Sequence, residues 1–112
     1  MSHLLDLFLL DNLFEYKFYS LTTNPNTWVA NFYKKSNILI ANFQFATITN
    51  KTKFQVVSPS EIPDWFKGKS MYFVAVSSDD TSALECFYSK ENGIEVWGTA
   101  RGASAELITI CD

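Results

Sequence analysis

The chain has 112 residues, of which 47% are hydrophobic, 16% aromatic and 19% charged, and its formal net charge is −3. This length fits a single domain spanning residues 1–112. The apolar and weakly charged composition excludes a disordered chain. Four glycines, three prolines and two cysteines exclude collagen-like and disulfide-scaffold classes.

The first predicted element is a short helix over residues 3–12. Ser2 is suited to cap this helix. Its apolar residues recur on one face at helical spacing: Leu4, Leu5, Phe8, Leu9 and Leu13. The stretch is too short to span a bilayer. It also lacks a basic residue before Lys17 and is interrupted by acids, unlike a signal peptide. We therefore expect a cytoplasmic protein without a membrane segment.

From residue 14 onward, apolar and polar residues alternate with a period of two, which predicts half-buried strands. The Asn24-Pro25-Asn26 sequence is typical of a turn between two of them. The pattern predicts a four-stranded meander in the first half of the chain, with strands over residues 14–19, 28–35, 38–49 and 53–57.

Two further elements follow the meander. Residues 60–67 lie between Pro59 and Gly68, and their composition predicts a short connecting helix. Residues 71–76 are continuously apolar, which predicts a central strand covered on both faces. A last strand is predicted over residues 104–111.

The stretch 84–99 contains Asn92-Gly93 between alternating residues, the strongest short-range signal for a β-hairpin. Placing Glu91 opposite Ile94 sets a register in which Tyr88 lies opposite Trp97. The alternative for this region is a helix over residues 80–91 that is capped by Asp80.

These elements predict a mainly β fold of about eight antiparallel strands. The strands form a meander that closes into a small barrel or folds into a sandwich, with a short N-terminal helix and one short connecting helix. The runner-up is an α+β fold in which residues 80–91 are helical and pack on the sheet. The sequence does not indicate an oligomeric state.

Catalytic and cofactor motifs are missing from the sequence. The sole histidine, His3, lies beside the terminus, and no glycine-rich nucleotide motif occurs. Cys86 and Cys111 have neither zinc-ligand nor redox-motif spacing, so we expect two reduced thiols. We therefore expect a non-enzymatic protein with no metal and no cofactor.

One loop has the residue types of a small anion site. Gly98 and Gly102 free the backbone amides, and Arg101 is the only arginine in the chain. An arginine between two glycines fits a carboxylate or phosphate group.

The C-terminal third is acidic, since residues 79–112 hold seven acidic residues against Lys90 and Arg101. This charge repels nucleic acid and attracts basic proteins. The size, acidity and lack of catalytic motifs resemble the general profile of bacterial immunity proteins, which inhibit basic toxin domains. The sequence therefore predicts a protein-binding module for a basic partner, with these contact residues: Asp79, Asp80, Glu85, Tyr88, Glu91, Glu95 and Trp97. The alternative is a small β-barrel that binds an apolar small molecule.

Overall fold

The computed structural model describes residues 16–22 and 24–112. The helix predicted over residues 3–12 lies outside them. The described chain forms eight strands: β1 (Tyr16–Leu21), β2 (Thr27–Lys35), β3 (Ile38–Phe45), β4 (Ile48–Val57), β5 (Met71–Ser77), β6 (Ala83–Ser89), β7 (Gly93–Ala100) and β8 (Ala103–Ile110).

All eight strands belong to one antiparallel sheet with the order β1-β2-β3-β8-β5-β6-β7-β4. The sheet curls into a half-barrel. The prediction of a mainly β fold with eight antiparallel strands is therefore confirmed. Within the described residues, the predicted closed barrel or two-sheet sandwich is not formed, because β1 and β4 end a single open sheet.

The buried face of the sheet follows directly from the alternation of residues. In β3, Leu39, Ala41, Phe43 and Phe45 are buried, while the residues between them are exposed or half-buried. Successive side chains of a strand point to opposite faces. We call the face that holds these four residues the inner face and the opposite one the outer face. The inner face carries the hydrophobic core.

The connection between β4 and β5 covers the inner face. Phe66 is buried, with its ring centroid 5.1 Å from that of Phe32 and 5.6 Å from that of Tyr88. The helix predicted over residues 60–67 is wrong, since only Pro59–Glu61 forms a single 3-10 turn. Ile62 is extended because it precedes a proline, whose ring disfavours the helical conformation of the residue before it.

The predicted four-stranded meander holds for its first three strands only. The strand predicted over residues 38–49 ends at Phe45, and its last residues belong to β4. β1 pairs with β2 and β2 with β3, but β4 pairs with β7 at the far end of the sheet. The second edge of β3 is taken by β8, from Ile38 opposite Ile110 to Gln44 opposite Ser104. Because both edges of β3 are already paired, β4 cannot pair with β3 and pairs with β7 instead.

The predicted β-hairpin is confirmed as β6 and β7, and the alternative helix over residues 80–91 is wrong. Its register differs by three residues from the predicted one, because Ser89 pairs with Gly93 across a three-residue loop. Gly93 has a φ of 75°, the left-handed conformation that follows the turn in hairpins of this length. An odd shift moves side chains to the other face. Tyr88 therefore lies on the inner face and Trp97 on the outer face.

The central position predicted for residues 71–76 is confirmed, because β5 lies between β8 and β6. Cover on both faces is not found within the described part of the chain. Ala75 is buried on the inner face, while Tyr72, Val74 and Val76 are 71%, 58% and 58% exposed on the outer face.

Candidate functional site

The outer face of β5, β6 and β7 combines exposed apolar side chains with carboxylates. Glu85 of β6 lies opposite Trp97 of β7, and Phe87 lies opposite Glu95 two residues further along. Directly opposed side chains on one face have Cβ atoms about 5 Å apart. Each carboxylate thus adjoins one aromatic ring across the strands and another along its own strand. We call these four residues the checkerboard.

Strand β5 extends the checkerboard on one side. Tyr72 pairs with Phe87, and their ring centroids are 4.5 Å apart. Val74 pairs with Glu85. An open groove of about 320 Å³ runs over this region and is lined by Tyr72, Val74, Glu85 and Trp97, together with Phe73 and Cys86.

A cation of the chain itself lies on the other side of the checkerboard. The Lys53 Nζ atom is 5.4 Å from the centroid of the Phe87 ring and 5.6 Å from that of the Trp97 ring. Both distances are within the range of cation–π attraction. The two rings thus face a positive charge while the two carboxylates lie beside them.

The structure brings together only some of the predicted contact residues. Glu85, Glu95 and Trp97 belong to the checkerboard. Asp79 and Asp80 lie in the exposed turn between β5 and β6, and Glu91 lies in the exposed loop between β6 and β7. The Ser82 hydroxyl and backbone N–H donate hydrogen bonds that lower the pKa of the Asp80 carboxyl.

Tyr88 does not lie on this surface, although the sequence places it among the contact residues. Its side chain is fully buried on the inner face. The Gly68 N–H donates to its hydroxyl oxygen at 2.9 Å, and the hydroxyl donates to the Phe66 carbonyl at 3.3 Å. The error comes from the hairpin register, which the sequence predicts with the wrong parity.

Two aromatic residues of the site are missing from the predicted contact set, Tyr72 and Phe87. Tyr72 belongs to the run 71–76, for which cover on both faces is predicted. Phe87 shares a face with Trp97 only in the observed register. A predicted hairpin loop of three residues would place Phe87 on the same face as Trp97 from sequence alone.

The residues of the predicted anion loop, Gly98, Arg101 and Gly102, do not lie in one loop. Gly98 lies inside β7, where it pairs with Leu84 of β6 and with the backbone of Asn50 in β4. Arg101 and Gly102 form the turn to β8, and the Arg101 carbonyl accepts a hydrogen bond from the Ser77 hydroxyl. Gly98 therefore does not belong to this turn, and anion binding by Arg101 and Gly102 stays a prediction.

The two thiols occupy different environments. Cys86 and Cys111 are both free, and Cys86 is fully buried. Burial raises the pKa of the Cys86 thiol to about 12. Within the described residues, no group of three or more His, Cys, Asp or Glu side chains is arranged to hold a metal ion.

A second apolar region lies on the outer face, away from the checkerboard. Ile38, Ile108 and Ile110 are about half exposed where β3 pairs with β8. With Met71, Lys69 and Thr109 they line an open groove of about 400 Å³. We call it the isoleucine groove.

No protein family matches the chain, and no curated protein matches it significantly. None of the helical segments in the described residues has the length and apolar character needed to cross a membrane.

Proposed function

We propose that the protein is a non-catalytic protein-binding module whose outer face engages a basic protein partner. The observation that supports this most strongly is the checkerboard on the outer face, where Glu85 and Glu95 alternate with Phe87 and Trp97. Glu85 is exposed and the other three residues are half-buried. A few residues supply most of the binding energy at protein interfaces, and Trp and Tyr are enriched among them. Carboxylates beside them speed the encounter with a positively charged partner.

The extent of the exposed surface also supports binding to a protein. Tyr72, Val74 and Val76 continue the apolar area of the checkerboard across β5. Large contiguous apolar patches are rare on monomeric proteins and mark interaction sites. Asp79 and Asp80 add negative charge at one end of this area and Glu91 at the other.

The kind of partner follows from the charge. We infer that the module acts as an immunity-type inhibitor that covers the basic functional surface of a toxin or nuclease domain. Nucleases carry such surfaces because their substrate is a polyanion. A cytoplasmic location is part of this proposal and is supported by the free thiols Cys86 and Cys111.

The test combines native mass spectrometry with a matched pair of charge variants. The protein is isolated from its own host at low salt, and any bound protein is identified and titrated with salt. Glu85→Lys is compared with Asp64→Lys, which changes the charge equally. Asp64 lies in the β4–β5 connection, beside the inner-face residues Phe66 and Tyr88.

The proposal predicts a complex with a basic protein that dissociates as salt rises. It also predicts that Glu85→Lys weakens the complex by about tenfold at low salt while Asp64→Lys preserves its affinity. A captured protein that both variants retain, or whose binding does not depend on salt, would contradict the proposal. A protein isolated without any partner would also contradict it.

The isoleucine groove favours a second candidate function, the binding of an apolar small molecule. Its volume of about 400 Å³ is within the range of ligand sites. The three isoleucines of this groove lie on the outer face, whereas Met71 and Thr109 pair with the inner-face residues Tyr88 and Leu39. The inner face itself is filled by side chains of the chain.

The second candidate is tested with the fluorescent fatty acid cis-parinaric acid. It predicts saturable binding that Ile108→Lys abolishes. Val76→Lys, at a similarly exposed position outside the groove, should preserve the binding. Absence of saturable binding, or equal loss in both variants, would exclude a specific site in the isoleucine groove.

A further inference from the structure

The checkerboard provides the chemistry for binding one basic side chain. Phe87 and Trp97 present ring surfaces that attract a cation, and Glu85 and Glu95 lie beside these rings. A guanidinium group is planar, so it stacks on a ring while its N–H groups donate to a neighbouring carboxylate. An ammonium group is a compact point charge and does not combine the two contacts in this way.

The position of Lys53 bears directly on this chemistry. Its Nζ atom lies between 5 and 6 Å from both ring centroids, although Lys53 belongs to β4 and the rings belong to β6 and β7. A cation of the chain thus already lies at the rings. Lys53 is exposed, so its side chain can leave this position without disturbing the core.

We propose that the checkerboard is a binding site for an arginine side chain of the partner, and that Lys53 occupies it until that arginine displaces it. This inference rests on the proposed function, because it specifies which group of a basic partner the site recognises. While Lys53 lies at the rings, it blocks other cations from binding to the checkerboard. The arginine displaces Lys53 because its guanidinium group stacks on a ring and donates hydrogen bonds to a carboxylate at the same time.

The experiment uses hexa-arginine and hexa-lysine peptides, which carry equal side-chain charge, and the full chain labelled for NMR. Lys53→Gln is compared with Lys67→Gln, which removes the same charge from the β4–β5 connection, where Lys67 is exposed. The Trp97 indole resonance reports binding. Circular dichroism verifies that both variants are folded.

We expect hexa-arginine to bind more tightly than hexa-lysine to the wild-type protein. Removal of Lys53 should tighten hexa-arginine binding about two- to fivefold beyond the effect of Lys67→Gln, which corresponds to an exposed cation–π contact of roughly 0.5–1 kcal/mol. In the wild-type protein, the Lys53 ε-protons should show a ring-current shift that disappears as hexa-arginine is added.

Equal affinities of the two lysine variants would overturn the inference, as would equal binding of the two peptides. A Lys53 ring-current shift that persists at saturation would overturn it as well. These outcomes are distinguishable from failure of the proposed function, since a salt-sensitive partner complex that depends on Glu85 would persist in each case.

Discussion

Glu85 and Trp97 lie opposite each other on neighbouring strands, so that a carboxylate and an indole share the outer face of the sheet. Phe87 and Glu95 form the next pair on this face, with the ring on β6 and the carboxylate on β7. For the proposed complex, we expect the two residue types to have separate roles. The carboxylates should attract the partner at long range during the encounter, whereas the rings should contribute only once the two proteins are in contact.

The first prediction separates these roles kinetically. Glu85→Lys should slow association with the basic partner about tenfold at low salt and flatten its salt dependence, since the steering charge is reversed. Trp97→Ala should leave the association rate nearly unchanged and speed dissociation at least tenfold, because it removes a contact anchor. Stopped-flow mixing measures both rates. Equal effects of the two variants on the same rate constant would contradict this division.

The second prediction concerns the hairpin that positions the site. Gly93 has a φ of 75°, and a Cβ atom there would lie 2.1 Å from the Val57 carbonyl oxygen. Gly93→Ala should therefore lower the free energy of unfolding by about 2 kcal/mol or more. Urea unfolding measures this loss. Asn92→Ala, one residue earlier in the loop, is the control and should cost clearly less.

The third prediction tests the burial of Tyr88. Tyr88→Phe removes the hydroxyl that joins the Gly68 N–H to the Phe66 carbonyl. The free energy of unfolding should fall by about 1–2 kcal/mol, because two buried groups lose their partner. Partner affinity should not change. A variant of unaltered stability that binds more weakly would place Tyr88 on the contact surface after all.

The fourth prediction is a loss of stability at alkaline pH. Burial raises the pKa of Cys86 to about 12 in the folded protein, against an ordinary value of 9.0. Between these two values the unfolded chain loses the thiol proton and the folded chain keeps it. The free energy of unfolding should therefore fall with rising pH, by up to about 1.4 kcal/mol per pH unit from this group.

Urea unfolding at pH 7.5, 9 and 10.5 measures this dependence. Cys86→Ala should reduce the slope. Cys111→Ser, which removes the other, partly buried thiol, is the control variant. An unchanged slope in Cys86→Ala would show that ionisation of this thiol is not linked to unfolding.

The strands were predictable from sequence because alternation is a local property. The inner-face residues Leu39 and Phe43 are recognisable from the period of two alone. The partner of β4 was not predictable in this way. It depends on β8 pairing with the free edge of β3, and the paired residues are 60 or more positions apart in the chain.

The candidate site was predictable only in part, for a related reason. Charge density alone identifies Glu85 and Glu95. Which aromatic residue accompanies them depends on the parity of the hairpin register, and Asn92-Gly93 is compatible with loops of two or three residues. The three-residue loop places Phe87 on the outer face and Tyr88 inside.

Hydroxyl-radical footprinting measures whether a basic partner contacts the outer face of β5, β6 and β7, since aromatic side chains report their own exposure. We expect oxidation of Tyr72, Phe87 and Trp97 to fall when the complex forms, whereas that of the exposed Trp28 should not change. Protection confined to Trp28 or to β1, with these three residues oxidised as in the free protein, would contradict it.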